Sequence, residues 1–146
     1  GHPNAYGLVG NEANAIAPGK RPLSSMTPTI IENDKELLVT GTPGGSRIIS
    51  MVYQSVIAFT EGKTANEIVS LPRYHHQYKP DIIQHEPNTF TQEQIRELKD
   101  FGYQTKDVGR QYGNMQIVTV DKADDIIDAA SDPRGIGQAI SQQRLE

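Results

Sequence analysis

Gly41-Thr42-Pro43-Gly44-Gly45-Ser46-Arg47 is the segment whose residue types come closest to chemistry. It leads into a run with helical apolar spacing. The first N–H groups of a helix lack intrahelical partners and sit at the positive end of its dipole. A turn without side chains at that place can hold an anion. A phosphate cradle asks for G-x-x-x-x-G-K-[ST], whereas here Arg47 follows Ser46, no Lys stands at the required place, and G-x-G-x-x-G is absent. An oxyanion hole asks only for two adjacent donors, and Gly44 and Gly45 meet that demand for the charge that develops during acyl transfer. The same glycines also read as a structural turn whose φ values demand them.

Ser24 and Ser25 stand side by side in Arg21-Pro22-Leu23-Ser24-Ser25-Met26, with Pro22 and Pro28 stiffening the backbone around them. Paired hydroxyls can bind a carboxylate, or can be ordinary solvated loop serines. In Arg73-Tyr74-His75-His76 the two imidazoles are neighbours, which sends them to opposite faces of a strand or about 100° apart on a helix. They read as structural rather than as a shared metal site. His2 and His85 have no carboxylate at zinc-ligand spacing, and G-x-S-x-G is absent. Ser131-Asp132-Pro133-Arg134 reads as a turn or cap in which Asp132 or Arg134 makes an internal ion pair.

These groups need elements to position them. The first 29 residues, with Pro3, Pro18, Pro22 and Pro28, read as an irregular extended segment that must lie against something. Thr29 to Ile31 and Leu37 to Thr40 are β-prone runs around Asn33 and Asp34, which predicts a hairpin. After the glycine turn, Ile48, Ile49, Val52, Val56 and Phe59 predict the buried stripe of a helix ending before Gly62. Thr64-Ala65-Asn66-Glu67 is a capping box for a short helix closed by Pro72, and Thr91-Gln92-Glu93-Gln94 is a second, with Phe90 and Ile95 as a hydrophobic staple. Ile82 and Ile83, Tyr103 to Val108, Met115 to Val120, and Asp125 to Ala130 read as strands, the last two joined by a turn at Lys122 and Ala123. Strands with interspersed helices point to a layered α+β or α/β domain.

Composition sets the limits. A chain of 146 residues fits one domain, spanning residues 1–146. Net charge is −4 with acids and bases interspersed, which argues against nucleic acid and anionic membranes as partners. Cys is absent, excluding disulfides and thiolate metal sites. Even with its 13 glycines counted in place of its 6 tyrosines, the apolar content stays below the roughly 45–50% of average globular chains. With Trp 0, Phe 3 and a mean hydropathy of −0.54, the core is thin for the length.

In order along the chain, several stretches together resemble the γ-glutamyltransferases (γ-glutamyltranspeptidases, glutathione hydrolases) of the N-terminal nucleophile hydrolase class. They are Pro3-Asn4-Ala5-Tyr6-Gly7-Leu8-Val9-Gly10, Ala13-Asn14-Ala15, Lys20 through Thr29, Val39 through Ile49, Pro72 through Gln77 and Ala130 through Arg134. The resemblance implies a four-layer αββα sandwich, with the hairpin and the C-terminal strands in its two central sheets. It further implies a precursor that cuts itself into a large and a small subunit, whose freed N-terminal Thr is the nucleophile. This chain resembles the small subunit from a point after its start, and Gly1 is not that Thr. The isolated chain is therefore expected to be inactive, with the large subunit of the same precursor as partner.

By the same resemblance Ser24 and Ser25 hold the α-carboxylate of the γ-glutamyl group, and Gly44 and Gly45 form the oxyanion hole. The implied substrates are glutathione and other γ-glutamyl compounds, with water, amino acids or peptides as acceptors and no cofactor or metal. The implied location is the periplasm or the medium. Two alternatives stand beside this: a related acylase, such as a cephalosporin (glutaryl) acylase or a poly-γ-glutamate depolymerase, and a non-catalytic binding domain that keeps the fold.

Overall fold

The computed structural model describes residues 2–141; Gly1 lies outside the described residues. The leader runs irregularly to strand β1 (Thr29–Glu32), which forms the expected hairpin with β2 (Glu36–Gly41). Asn33 sets the turn: its Oδ1 accepts from the N–H groups of Lys35 and Glu36, each at 2.8 Å. Helices α1 (Ile48–Thr60) and α2 (Ala65–Ser70) follow, then β3 (Tyr74–His75) and β4 (Ile83–His85). Helix α3 (Gln92–Asp100) and strands β5 (Thr105–Asp107), β6 (Gln116–Asp121) and β7 (Ile126–Ser131) complete the order. Both capping boxes form as read, Thr64 with Glu67 and Thr91 with Gln94.

The strands make two sheets, a four-stranded one in the order β1-β2-β6-β7 and a three-stranded one in the order β3-β4-β5. In the smaller sheet β4 and β5 are parallel, which requires a crossover, and α3 supplies it. The expectation that the hairpin and the C-terminal strands belong to two central sheets is corrected. β2 pairs directly with β6, Thr40 opposite Ile117, and all four strands share one sheet. The cause is strand alternation: Leu38 and Thr40 on β2, Ile117 on β6 and Ala130 on β7 are buried in one continuous register, so a single helix layer covers them together.

That layer is α1 with α2, and its core joins Leu38, Met51, Phe59, Ile68, Met115 and Ile117. The stripe on α1 differs from the one read in the sequence. Ile48, Met51, Val52, Ser55, Ala58 and Phe59 are buried, while Ile49 is 58% exposed and Val56 only partly buried. The i, i+3, i+4, i+7 series counts from Ile48, and Ile49 lies one helical step away from it. Smaller or more polar side chains, Ser55 and Ala58, therefore take positions that apolar content alone assigned to Ile49 and Val56.

The opposite face of the four-stranded sheet carries no layer among the described residues. Ile30, Val39, Val118 and Ala129 form one cross-strand row there, with Ile30 68% exposed. Leu37, Val120 and Ile127 form the next row. One helix layer and one sheet of the αββα arrangement are thus present, with the sheet's second face open.

Candidate functional site

β2 ends at Gly41, and the chain turns through Thr42, Pro43 and Gly44 into a single 3-10 turn (Gly45–Arg47) that runs on into α1. Gly44 has φ +155° and Gly45 φ +59°, both in the region that favours glycine. A Cβ on Gly44 would stand 2.5 Å from Cε of Met51, so a side chain there would have to push the free end of Met51 aside. Both glycines are exposed, and neither N–H donates to another group among the described residues. The 3-10 turn shifts the donors: Gly44 is the N-cap of that turn rather than the first residue of α1. The outcome for chemistry is the one the spacing pointed to, two consecutive unpaired N–H groups at the head of a helical segment.

The turn is tied down on both flanks. Buried Thr42 donates through Oγ1 to the carbonyl of Pro43 at 2.9 Å and accepts from the N–H of Asn114 at 3.2 Å. Arg47 donates to Oε1 of Gln84 at 2.6 Å and lies over the Tyr112 ring, 4.7 Å from its centroid. Burial pushes the Tyr112 hydroxyl up to about 12, outweighing the opposing effect of Arg47, so the ring stays neutral.

Ser24 is exposed and Ser25 half-buried in the extended segment before β1. Ser24 Oγ accepts from the N–H of Met26 at 3.2 Å. No hydrogen bond joins the serines to the glycines among the described residues, but the hairpin brings the two pairs to one end. The ladder closes with Thr29 opposite Thr40, and a Cβ on Gly41 would lie 4.0 Å from Cα of Pro28. The pairing stops there, because the chain after Gly41 leaves the strand and turns into the 3-10 segment at Gly45. A cleft of about 640 Å³ at this end of the sheet is lined by Met26, Pro28, Pro43 and Val118 among others, and by neither the serine pair nor the glycine pair.

The two histidines face apart. His75 is buried, with Nδ1 2.7 Å from Ser50 Oγ and Nε2 2.8 Å from Gln77 Oε1. Gln77 gives its own amide N–H groups to the carbonyls of Ala5 and Lys79, which fixes Oε1 as the acceptor toward His75 and assigns the ring proton to Nε2. Nδ1 then accepts from the Ser50 hydroxyl. Burial holds the His75 pKa below its usual value, against the raising effect of Gln77. His76 instead meets Asp81 at 2.6 Å near the surface.

Sequence reasoning missed the full extent of the polar centre beneath the site. Asp132 and Arg134 do pair internally, but as half of a buried quartet with Arg73 and Glu86. Glu86 takes Arg134 in bidentate fashion at 2.9 and 2.6 Å, and also accepts from the N–H groups of Tyr112 at 2.8 Å and Arg73 at 3.2 Å. Asp132 pairs with Arg73 and accepts from the N–H groups of Met115 at 2.7 Å and Arg134 at 2.9 Å. Both guanidinium groups donate to Val69 O, and Arg134 also to Leu71 O, satisfying carbonyls at the end of α2. Burial works against the Asp132 carboxylate, but these two N–H donors and Arg73 outweigh it and hold its pKa below the usual value. Burial likewise works against Arg134, yet the bonds to Glu86 and then Asp132 raise its pKa. In the sequence, Glu86 before Pro87 gives no sign of burial; only the Asp132-Pro133-Arg134 spacing pointed this way.

A sequence model of the family described as Gamma-glutamyltranspeptidase matches residues 1–142. The glutathione hydrolase proenzyme of Escherichia coli (strain K12) is 44% identical over 138 residues, covering 93% of this chain. The chain spans only 23% of that relative's length. A solved Helicobacter pylori gamma-glutamyltranspeptidase mutant superposes with a TM-score of 0.80 at 39% identity, over 92% of this chain and 74% of that one. The Bacillus anthracis transpeptidase enzyme CapD does so with a TM-score of 0.71 at 27% identity, over 86% and 75%. The fold is accordingly that of the N-terminal nucleophile hydrolases, carried here in part. Matched by the family model almost from end to end, and by relatives at this level of identity, the chain belongs to the gamma-glutamyltranspeptidase family.

Proposed function

We propose that this chain is the C-terminal part of the small subunit of a γ-glutamyltransferase that acts on γ-glutamyl amides such as glutathione, with the large subunit of the same precursor as its partner. The observation that carries the reading is the pair of unpaired N–H groups at Gly44 and Gly45, set at the same hairpin end as Ser24 and Ser25.

In this reading Ser24 and Ser25 hold the substrate α-carboxylate. The γ-carbonyl oxygen points at Gly44 and Gly45. The nucleophile is a Thr outside this chain; its hydroxyl attacks the γ-carbon while its own α-amine takes the proton. The tetrahedral oxyanion is held by the two N–H groups, each worth roughly 3–4 kcal/mol of barrier because the donors are already aimed and unpaired. Collapse breaks the C–N bond, the proton passes to the leaving amine, and a γ-glutamyl ester remains. Water, an amino acid or a peptide then takes the acyl group. Export to the periplasm or medium belongs to the same reading and is tested by fractionating cells for the mature subunit.

The test uses the complete proenzyme. Ser24→Ala with Ser25→Ala is expected to reduce kcat/KM for a γ-glutamyl anilide far more than for an amide without an α-carboxylate. Equal loss on both substrates would remove the serines from carboxylate binding. A second reading, a transpeptidase or acylase with another acyl group, is favoured by the likeness to CapD. Release of glutamate from the γ-glutamyl anilide against release from a glutaryl amide separates the two.

A further inference from the structure

We propose that Met51 is a positioning residue for the oxyanion turn, setting where the Gly44 N–H points through direct contact of its thioether with the glycine backbone. The inference rests on the reading of Gly44 and Gly45 as oxyanion donors and deepens it by naming what holds them in place.

Met51 lies on the second turn of the helical segment and is 1% exposed. A Cβ on Gly44 would be 2.5 Å from Met51 Cε, and a Cβ on Gly113 would be 2.6 Å from Met51 Sδ. The side chain therefore runs between two glycine backbones and lies where a Cβ on either would meet it. At Gly113 it shares the space with the Arg73 guanidinium, so one end of Met51 rests on the buried quartet and the other supports the turn. The outer side is different: nothing lies within 4 Å of a Cβ on Gly45. The turn is thus backed from beneath and open above, where an oxyanion would sit.

Two consecutive glycines at positive φ have many alternative conformations of similar energy. The bond from Arg47 N–H to Gly44 O, at 3.2 Å, closes the 3-10 turn but leaves the tilt of the peptide joining Pro43 to Gly44 to packing. On the side where a Cβ of Gly44 would stand, the first atom met is Cε of Met51, followed by Cγ1 of Ile48 at 3.7 Å. A displacement of about 1 Å at a donor is enough to cost a large factor in rate without weakening substrate binding made elsewhere. Met suits this place because a slim, pliable thioether passes between two backbones, and Leu, of similar volume, fills most of the same space.

The experiment compares Met51→Ala, Met51→Leu and Ile68→Ala in the complete proenzyme, with Gly44→Ala alongside. Ile68 is a core residue of similar burial on α2, away from the turn. Met51→Ala is expected to lower kcat for a γ-glutamyl anilide by about tenfold to hundredfold with KM within about twofold. Affinity for a tetrahedral boronate analogue should fall by the same factor, while affinity for free glutamate holds. Met51→Leu should recover most of kcat, and Ile68→Ala should lose melting temperature but keep kcat. Should Met51→Ala fail to accumulate, Met51→Val is measured against Met51→Leu in the same way. A kcat for the shortened variant equal to that of Ile68→Ala, with Gly44→Ala inactive, overturns the role of Met51 and leaves the oxyanion reading standing. An active Gly44→Ala overturns both.

Discussion

Removing a single carboxylate charge from the buried quartet is predicted to be among the most damaging changes in the chain. Glu86→Gln leaves the Arg134 guanidinium, whose side chain is 5% exposed, without its bidentate partner. The expected cost is about 3–5 kcal/mol, because Asp132 is then the one carboxylate shared by two buried guanidinium groups and one buried positive charge is left uncompensated. Denaturant unfolding of the complete protein measures it. Acid acts on the same centre through Asp132. Its folded pKa lies below the usual 3.8, so its contribution is complete above about pH 4 and is lost as pH falls through the lower folded value. His75 adds a second, milder slope. Its folded pKa is depressed from 6.5, so the unfolded chain takes up the proton first and stability declines as pH falls below about 6.5. His75→Gln should flatten the midpoint of unfolding between about pH 7 and about pH 5.5. At this scale the sequence singled out Gly44, Gly45, Ser24 and Ser25 as candidates because their types are unusual for their local context. Glu86 and Arg73 were hidden because nothing local distinguishes a buried charge from a solvated one; their partners are distant along the chain.

Elements defined by local chemistry were legible, and those defined by tertiary pairing were less so. Both capping boxes and the Asn33 turn form because all of their bonds lie within a few residues. Thr91→Ala is predicted to cost about 1 kcal/mol, read as faster amide exchange through the first turn of α3. α3 is a sensitive reporter since none of its residues is buried, leaving local bonds to hold its start. Of the expected α1 stripe, Ile48, Val52 and Phe59 are buried, while Ile49 is exposed and Val56 partly buried, because apolar spacing does not say which of two adjacent isoleucines turns inward. β3 escaped notice since its two residues become a strand only by pairing with β4. The hairpin, which hydrophobic pattern alone does not pair, puts the segment before β1 and the turn after β2 at one end of the sheet.

At the scale of the molecule, the thin composition noted in the sequence has a structural counterpart in the uncovered sheet face. Ile30, Val39, Val118 and Ile127 stand there in rows, an arrangement more apolar than soluble monomers usually leave to water. A chain of residues 1–146 produced alone is expected to self-associate or bind a hydrophobic dye. Val39→Lys together with Val118→Lys should suppress both. Sedimentation of the wild-type chain as a well-folded monomer with no dye binding would sink the view that this face needs a cover. The layer itself was implied by the family resemblance; its extent was not, because a sequence shows which residues are apolar but not which of them lack a neighbour.

The quartet also bears on the order in which the chain becomes committed to its fold. Its members are Arg73, Glu86, Asp132 and Arg134, so half of its charge arrives only with the residues after β7. Until the ribosome has released Arg134, Arg73 has no aspartate in the quartet and the Glu86 carboxylate no guanidinium to take in bidentate fashion, and Leu71 O at the end of α2 lacks its donor. Nascent chains stopped before Asp132 should stay sensitive to protease, and those extended past Arg134 should become resistant. The charge centre is therefore complete only in a polypeptide that extends past β7.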